Sequence, residues 1–173
     1  MPSRSGASAP DAPFISVVIV NWNGKELLRA CLNSLREQQF RDFETIVADN
    51  GSEDDSVSLV REQYPEVQLI TLPRNLGFAA GSNAGIRSAA GDYIALLNND
   101  TRVAPGWLAE LARAVRQDPS VGMWASKILS MDAPDIIDNV GLLLYWDGTG
   151  RGKGRQERDT GQYDRPEEVF LPS

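Results

Sequence analysis

Residues 14–20 read Phe-Ile-Ser-Val-Val-Ile-Val, and the sequence then turns abruptly polar at Asn21-Trp22-Asn23-Gly24. A β-branched run with a single polar residue is the pattern of a strand covered on both faces, as a central parallel strand is. After the turn, Leu27, Leu28, Cys31, Leu32 and Leu35 recur at the spacing of one face of an amphipathic helix. Cys31 on that face reads as core rather than as a reactive thiol.

The unit repeats. Residues 43–48 predict a second strand that ends in Asp49-Asn50-Gly51-Ser52, followed by a helix from Asp54 that stops before Pro65. Asp54 and Asp55 suit its N-cap and first turn. Residues 67–72 predict a third strand, then Pro73-Arg74-Asn75-Leu76-Gly77, then a helix of small residues through Ala90 with Gly91 as its stop. Tyr93-Ile94-Ala95-Leu96-Leu97 predicts a fourth strand, buried on both faces and cut off by Asn98-Asn99-Asp100. Alternation of strand and helix makes this an α/β protein, a mostly parallel sheet flanked by helices with right-handed crossovers.

Every strand of such a sheet hands over to its turn on the same edge, where ligands collect because no helix covers the strand ends. The turn chemistry there admits two readings at each position. Trp22 either stacks on a planar base or packs as core, and Asp49 either accepts hydrogen bonds from a ligand or only forms its turn. Asn98, Asn99 and Asp100 are turn formers as well as candidate ligands. In residues 75–85, Gly77, Gly81 and Gly85 with Ala79, Ala80 and Ala84 let backbone approach closely, and a helix N-terminus there would offer N–H groups to a diphosphate. The alternative is a small-residue face packed on the sheet. Neither the dinucleotide fingerprint nor the P-loop spacing is present.

Composition narrows the chemistry. The 173 residues carry a net charge of −7, which argues against a nucleic-acid partner, since phosphate backbones need clustered Lys and Arg. There is no histidine and one cysteine, so His-based metal sites, Ser-His-Asp triads, Cys-His dyads and an intrachain disulfide are excluded. Oxygen ligands remain, and they suit Mg or Mn. No apolar run has the length of a transmembrane segment.

Towards the ends the signals are weaker. Residues 1–13, rich in Ser, Ala and Pro, read as a disordered N-terminal segment, with one domain over 14–173. Pro105 opens an amphipathic helix with Trp107, Leu108, Leu111 and Val115 on its apolar side; residues 121–128 read as a fifth strand and 141–145 as another. Residues 147–155 form a basic, glycine-rich loop, either solvated or able to close over a diphosphate through Arg151, Lys153 or Arg155. Residues 167–173 read as the start of a strand.

Four motifs in order, Ser16-Val17-Val18-Ile19-Val20-Asn21-Trp22-Asn23-Gly24, Ile46-Val47-Ala48-Asp49-Asn50-Gly51-Ser52, Arg74-Asn75-Leu76-Gly77-Phe78-Ala79-Ala80-Gly81-Ser82-Asn83 and Leu96-Leu97-Asn98-Asn99-Asp100, resemble the family 2 glycosyltransferases, and among them the rhamnosyltransferase-like branch. The resemblance covers residues 14–170. It implies a GT-A fold, a nucleotide-diphosphate sugar donor linked to UDP or dTDP, a divalent metal (Mg or Mn), and inversion at the anomeric carbon. It implies nucleobase contacts at Val20, Trp22 and Asp49, with Asn21 beside them, and nucleotide-sugar contacts at Asn75, Gly77, Asn83, Asn98, Asn99 and Asp100. Asp100 takes the metal-binding place of the family's Asp-x-Asp signature, here with one carboxylate in place of two.

The resemblance further implies that the chain is truncated before the acceptor segment and that the catalytic base lies beyond Ser173. The acceptor would be a glycan or a lipid-linked saccharide, as in cell-wall polysaccharide biosynthesis, and the location cytoplasmic, peripheral at the inner membrane face. Two alternatives stay open. A sugar-phosphate nucleotidyltransferase would carry a Gly-rich, Arg-containing loop after the first strand, where Asn21-Trp22-Asn23-Gly24 stands. A catalytically inactive nucleotide-sugar-binding fragment would bind donor without transfer.

Overall fold

The apolar run that opens the sequence becomes β1 (Ile15–Asn21), which pairs in parallel with a strand on each side. The computed structural model describes residues 12–171, so the expected disordered segment lies almost wholly outside the described residues, as do Pro172 and Ser173. Within them the chain forms two compact units that divide inside one helix, between Arg113 and Ala114.

In the first unit the elements follow in the predicted order: α1 (Lys25–Arg36), β2 (Phe43–Asp49), α2 (Ser56–Gln63), β3 (Gln68–Thr71), α3 (Phe78–Ser88), β4 (Tyr93–Asn98) and α4 (Trp107–Gln117), the last crossing into the second unit. The sheet order is β3-β2-β1-β4, all parallel. Partners in register share a face, so Val17 and Ile19 of β1 stand beside Ala95 and Leu97 of β4, while Val18 stands beside Leu96.

The two faces are covered unequally. Against the Val17 and Ile19 face pack Leu28, Cys31, Leu32 and Leu35 of α1, Leu59 and Val60 of α2, and Leu108 and Ala112 of α4, forming one buried core. Burying each Val, Leu or Ile there contributes about 1.5–3 kcal/mol. On the opposite face α3 rides directly on β1. A Cβ on Gly81 would stand 2.7 Å from Val20 Cγ1, and one on Gly85 2.3 Å from Val18 Cγ1. These glycines set how closely the helix approaches, so the small-residue face is a packing face.

That placement corrects the expectation for β4. The strand is paired on one side only and lies at the edge of the sheet, and because α3 sits over β1 it leaves Ile94 and Leu96 uncovered, Leu96 at 54% exposure. Only the face carrying Ala95 and Leu97 is packed. Gly91 has a different role from the expected helix stop, since α3 ends at Ser88 with Ala89 extended. Gly91 instead passes against β1: its N–H donates to Ser16 Oγ at 2.8 Å, and a Cβ would stand 2.7 Å from the Ser16 nitrogen.

The second unit is built from hairpins. β5 (Ile128–Leu129) pairs antiparallel with β6 (Ile137–Asn139), and β7 (Leu142–Leu144) with β8 (Gly150–Gly152). The fifth strand expected over residues 121–128 is not formed: 121–127 has no regular structure, and only Ile128–Leu129 finds a partner. Around the buried Ile137, the Ile137 N–H donates to Glu157 O and the Gln156 N–H to Ile137 O, each at 2.8 Å. Lys127 bridges Asp159 and Asp164, at 2.7 Å to each. The basic loop is drawn into the β7–β8 hairpin, where Lys153 pairs with Glu167 at 2.5 Å and Arg151 lies 5.4 Å from the centre of the Tyr145 ring. Among the described residues of the expected final strand, Leu171 forms a single bridge, to Leu142.

Gly85→Val places methyl groups where Val18 already stands and is expected to destabilise the first unit by about 1–3 kcal/mol in urea unfolding. Gly106→Ala, with no atom within 4 Å of the added Cβ, is expected to stay within about 0.5 kcal/mol.

Candidate functional site

Because the four strands run parallel, Asn21, Asp49, Thr71 and Asn98 all end on one edge, with Asn21 beside Asp49 and Val20 beside Asn98 in register. Chain order runs outward from β1 in opposite directions on its two sides, so the crevice between the ends of β1 and β4 is the position where open α/β sheets take their ligands.

Asn21 is the joint of that edge. Fully buried, it donates through Nδ2 to Asp49 Oδ2 at 3.1 Å and to Ser52 Oγ at 3.2 Å, and its Oδ1 accepts from Asn99 Nδ2 at 2.8 Å. One amide therefore fastens the turns after β1, β2 and β4 together. Gly24 closes over this contact so tightly that a Cβ would stand 2.4 Å from Asn99 Nδ2. Asp49 is equally buried, its Oδ1 accepting the Ser52 N–H at 2.9 Å. Asn21 thus organises the edge rather than presenting itself at it, and Asp49 accepts on one oxygen from its own turn and on the other from Asn21 of β1.

The same bonds hold Trp22 out. The Asn23 N–H donates to Ser52 Oγ at 2.9 Å, the Glu53 N–H to Asn23 Oδ1 at 2.8 Å, and the Lys25 N–H, first in α1, to Asp54 Oδ2 at 2.8 Å. Trp22 projects from this zipped loop with 54% of its surface exposed, which rules out the core reading and leaves its ring available for stacking. Asp54 is thus a cross-loop cap. Burial works to raise its carboxyl, but the bonds from Ser56 and Lys25 outweigh burial and hold it below the ordinary carboxylate range. Asp55, not Asp54, is the N-cap of α2, in a left-handed conformation.

A second buried amide sets the entry to α3. Asn50 Oδ1 accepts the Leu76 N–H at 2.9 Å, and its Nδ2 donates to Asn75 Oδ1 at 3.0 Å and to Gly77 O at 3.2 Å. Gly77 is exposed at φ 88°, a conformation that favours glycine, and begins α3 with no side-chain cap, so first-turn N–H groups are left for other partners. Val20 is half-buried beneath Gly81. Asn83 is exposed on α3, five residues past Phe78 and so about 7.5 Å along its axis, apart from this network.

Asn98 and Asp100 are exposed, and Asn99 is half-buried between them. The turn is closed by Thr101, whose Oγ1 donates to Asn98 O at 2.6 Å. Cys31 reaches the same carbonyl from α1, Sγ to O 3.7 Å. Burial pushes the Cys31 thiol up to about 11; the Thr101 hydroxyl opposes this and the Asp100 charge adds to it. It is a structural thiol.

Among the described residues no three His, Cys, Asp or Glu side chains are grouped to hold a metal ion. The donor chemistry fits a cation only in one form, held by the exposed Asp100 carboxylate with its remaining ligands from a bound diphosphate and water, as Mg commonly is. Nor is any helix of the described residues long and apolar enough to cross a membrane.

The model of "Glycosyl transferase family 2" matches residues 16–159. The chain belongs to that family. Among its relatives are an N-acetylglucosaminyltransferase of Rhizobium sp. (strain N33), 29% identical over 157 residues, which cover 84% of this chain and 34% of the relative. Another is a GalNAc(5)-diNAcBac-PP-undecaprenol beta-1,3-glucosyltransferase of Campylobacter jejuni, 28% identical over 109 residues, 61% of this chain and 35% of the relative. This family member therefore spans about a third of the length of these relatives. Among solved structures, a mannosyltransferase of Pyrobaculum calidifontis in complex with GDP-Man and Mn2+ superposes with a TM-score of 0.62 at 25% identity, covering 75% of this chain and 39% of that one. S. aureus TarS in complex with UDP-GlcNAc gives 0.57 at 19% identity, covering 69% and 41%. The family 2 chain has the GT-A fold that the motifs implied.

Several residues that build the site carried no individual signal in the sequence: Asn50 and Ser52 from the β2 turn, Ser34 in α1, and Gln38 two residues past its end. A thiol whose folded value lies near 11 against an ordinary 9.0 favours the folded state while it stays protonated, and that contribution is lost as pH rises from 9 through 11. Cys31 is accordingly expected to resist thiol-specific labelling at pH 8 in the folded chain and to react fully in denaturant. Rapid labelling of the folded chain at pH 8 would contradict its burial.

Proposed function

We propose that this chain is the donor-binding part of a glycosyltransferase that takes a hexose from a nucleoside diphosphate and transfers it, with inversion and with a divalent cation, to a glycan or lipid-linked saccharide. The observation that carries the reading is the pairing of an exposed indole and an exposed carboxylate, Trp22 and Asp100, on turns locked to each other through Asn21 and Asn99 at the β1–β4 crevice. Support for a nucleotide-sugar donor comes from the neighbours solved with UDP-GlcNAc and with GDP-Man. A dTDP-linked rhamnose is the donor to which the motif resemblance points.

In this reading Trp22 stacks on the nucleobase, and Asp49 lines the base pocket from below while keeping the turn rigid. The open first turn of α3, started by Gly77 and set by Asn50 and Asn75, receives the diphosphate or sugar through backbone N–H groups. Asn98 offers an exposed amide to the sugar, and Asp100 holds a Mg or Mn ion together with the diphosphate oxygens. When bound, that cation neutralises charge developing on the leaving diphosphate without proton transfer. Asp100 is committed to the cation, so the proton of the attacking hydroxyl goes to a different carboxylate. In the second unit, Lys153 is paired with Glu167.

Calorimetric titration with UDP, GDP and dTDP, each with and without Mn2+, tests the reading. At least one nucleotide is expected to bind more tightly with Mn2+, and Asp100→Ala to remove most of that increment. Trp22→Ala is expected to weaken binding with or without metal by about 1–3 kcal/mol, the worth of a base stacked on an aromatic ring. A folded chain that binds none of the three, or that binds equally well in both variants, contradicts it.

A further inference from the structure

Asp100 is exposed and sits in a turn, yet the chain on both sides of it is tied down by one face of α1. Before it, Asn98 O accepts from Cys31 Sγ. After it, the Val103 N–H donates to Ser34 Oγ at 3.1 Å, and Ala104 O accepts from Gln38 Nε2 at 2.7 Å. Pro105 O accepts the Gln39 N–H at 2.9 Å, and the Leu108 N–H, in the first turn of α4, donates to Gln38 Oε1 at 3.0 Å. Cys31, Ser34 and Gln38 stand at i, i+3 and i+7, one stripe of the helix and its C-terminal extension, and all three are buried.

Gln38 is fully buried with its amide satisfied on both atoms, including a 3.2 Å bond from Nε2 to Ser34 O. A glutamine costs more to bury than a leucine, and here its one side chain replaces both a loop bond and a helix cap. It fixes the two ends of residues 104–108 against the helix that also supports Asn98. The stretch between the anchors on α1 that contains Asp100 is thereby cut to residues 99–102.

We propose that Gln38, assisted by Ser34, is a positioning residue for Asp100: it sets where the carboxylate stands relative to the β1 turn, and so how well that carboxylate shares a cation with a bound nucleoside diphosphate. The inference rests on the reading of Asp100 as cation ligand. Gln38 touches neither nucleotide nor metal. Its action is through the 98–108 segment alone, and its effect must therefore appear in the cation-dependent part of binding.

The test uses Gln38→Met, which keeps length and removes all three bonds of the amide, and the milder Ser34→Ala with Ser34→Thr as the variant that retains the hydroxyl. Hydrogen exchange comes first. Gln38→Met is expected to speed exchange at the Leu108 amide, and Ser34→Ala at the Val103 amide, at least tenfold, while β1 and β2 amides keep their rates. In nucleotide titration, Gln38→Met is expected to cut the Mn2+ increment in affinity about tenfold, to leave metal-free affinity within twofold, and to have no further effect in the Asp100→Ala background. Ser34→Thr should keep the parent increment and Ser34→Ala should lose part of it. Equal losses with and without Mn2+, or a loss that persists without Asp100, would show a general structural role and overturn the proposal. If the parent chain shows no Mn2+ increment, the reading of Asp100 fails; unchanged exchange at Val103 and Leu108 would refute the hold of α1 on the segment independently.

Discussion

A single buried amide, that of Asn21, decides the geometry of the whole carboxyl edge. From the end of β1, its two donor bonds and one acceptor bond reach the turns of two neighbouring strands, Asp49 and Ser52 at β2 and Asn99 after β4. Buried without these partners the amide would cost about 1–3 kcal/mol, so the turns and the amide specify one another. The arrangement works only because β1 is central: its neighbours in register put Asp49 and Asn98 within reach. The exposed side chains the site offers, Trp22 and Asp100, are held by residues that are themselves hidden.

A division of labour follows from this. In the proposed function, residues at the surface of the crevice carry the chemistry of recognition, an aromatic face and a carboxylate, and residues beneath it carry the precision. Asn50 repeats the device one turn over, fixing Asn75 and Gly77 at the mouth of α3. Ser34 of α1 and Gln38 just past its end repeat it on the other side of the crevice's β4 turn. Such satisfied polar groups specify a geometry that apolar packing alone would leave looser.

Most of the first unit was legible because each strand and helix there announces itself by periodicity, and their alternation implies a parallel sheet with right-handed crossovers. The candidate ligand-facing residues were legible from motif resemblance, and exposure then excluded the core reading of Trp22. What was hidden depended on partners. Gln38 and Ser34 look like ordinary helix residues until the backbone at 103–108 is set against them. Leu96 looked buried because a continuous apolar run does not say that the covering helix will sit over β1 instead. Residues 121–127 carried apolar side chains but found no strand to pair with, and pairing rather than composition makes a strand.

The central claim is that a nucleoside diphosphate binds at the β1–β4 edge, and mapping amide chemical-shift changes on addition of UDP or GDP with Mg2+ tests it most directly. The account predicts shifts concentrated at Trp22, Asn23, Ser52, Gly77, Phe78 and Asp100, with the second unit unmoved. Saturable shifts confined to residues after Arg113, or to the outer faces of α1 and α2, would place the ligand elsewhere and contradict it.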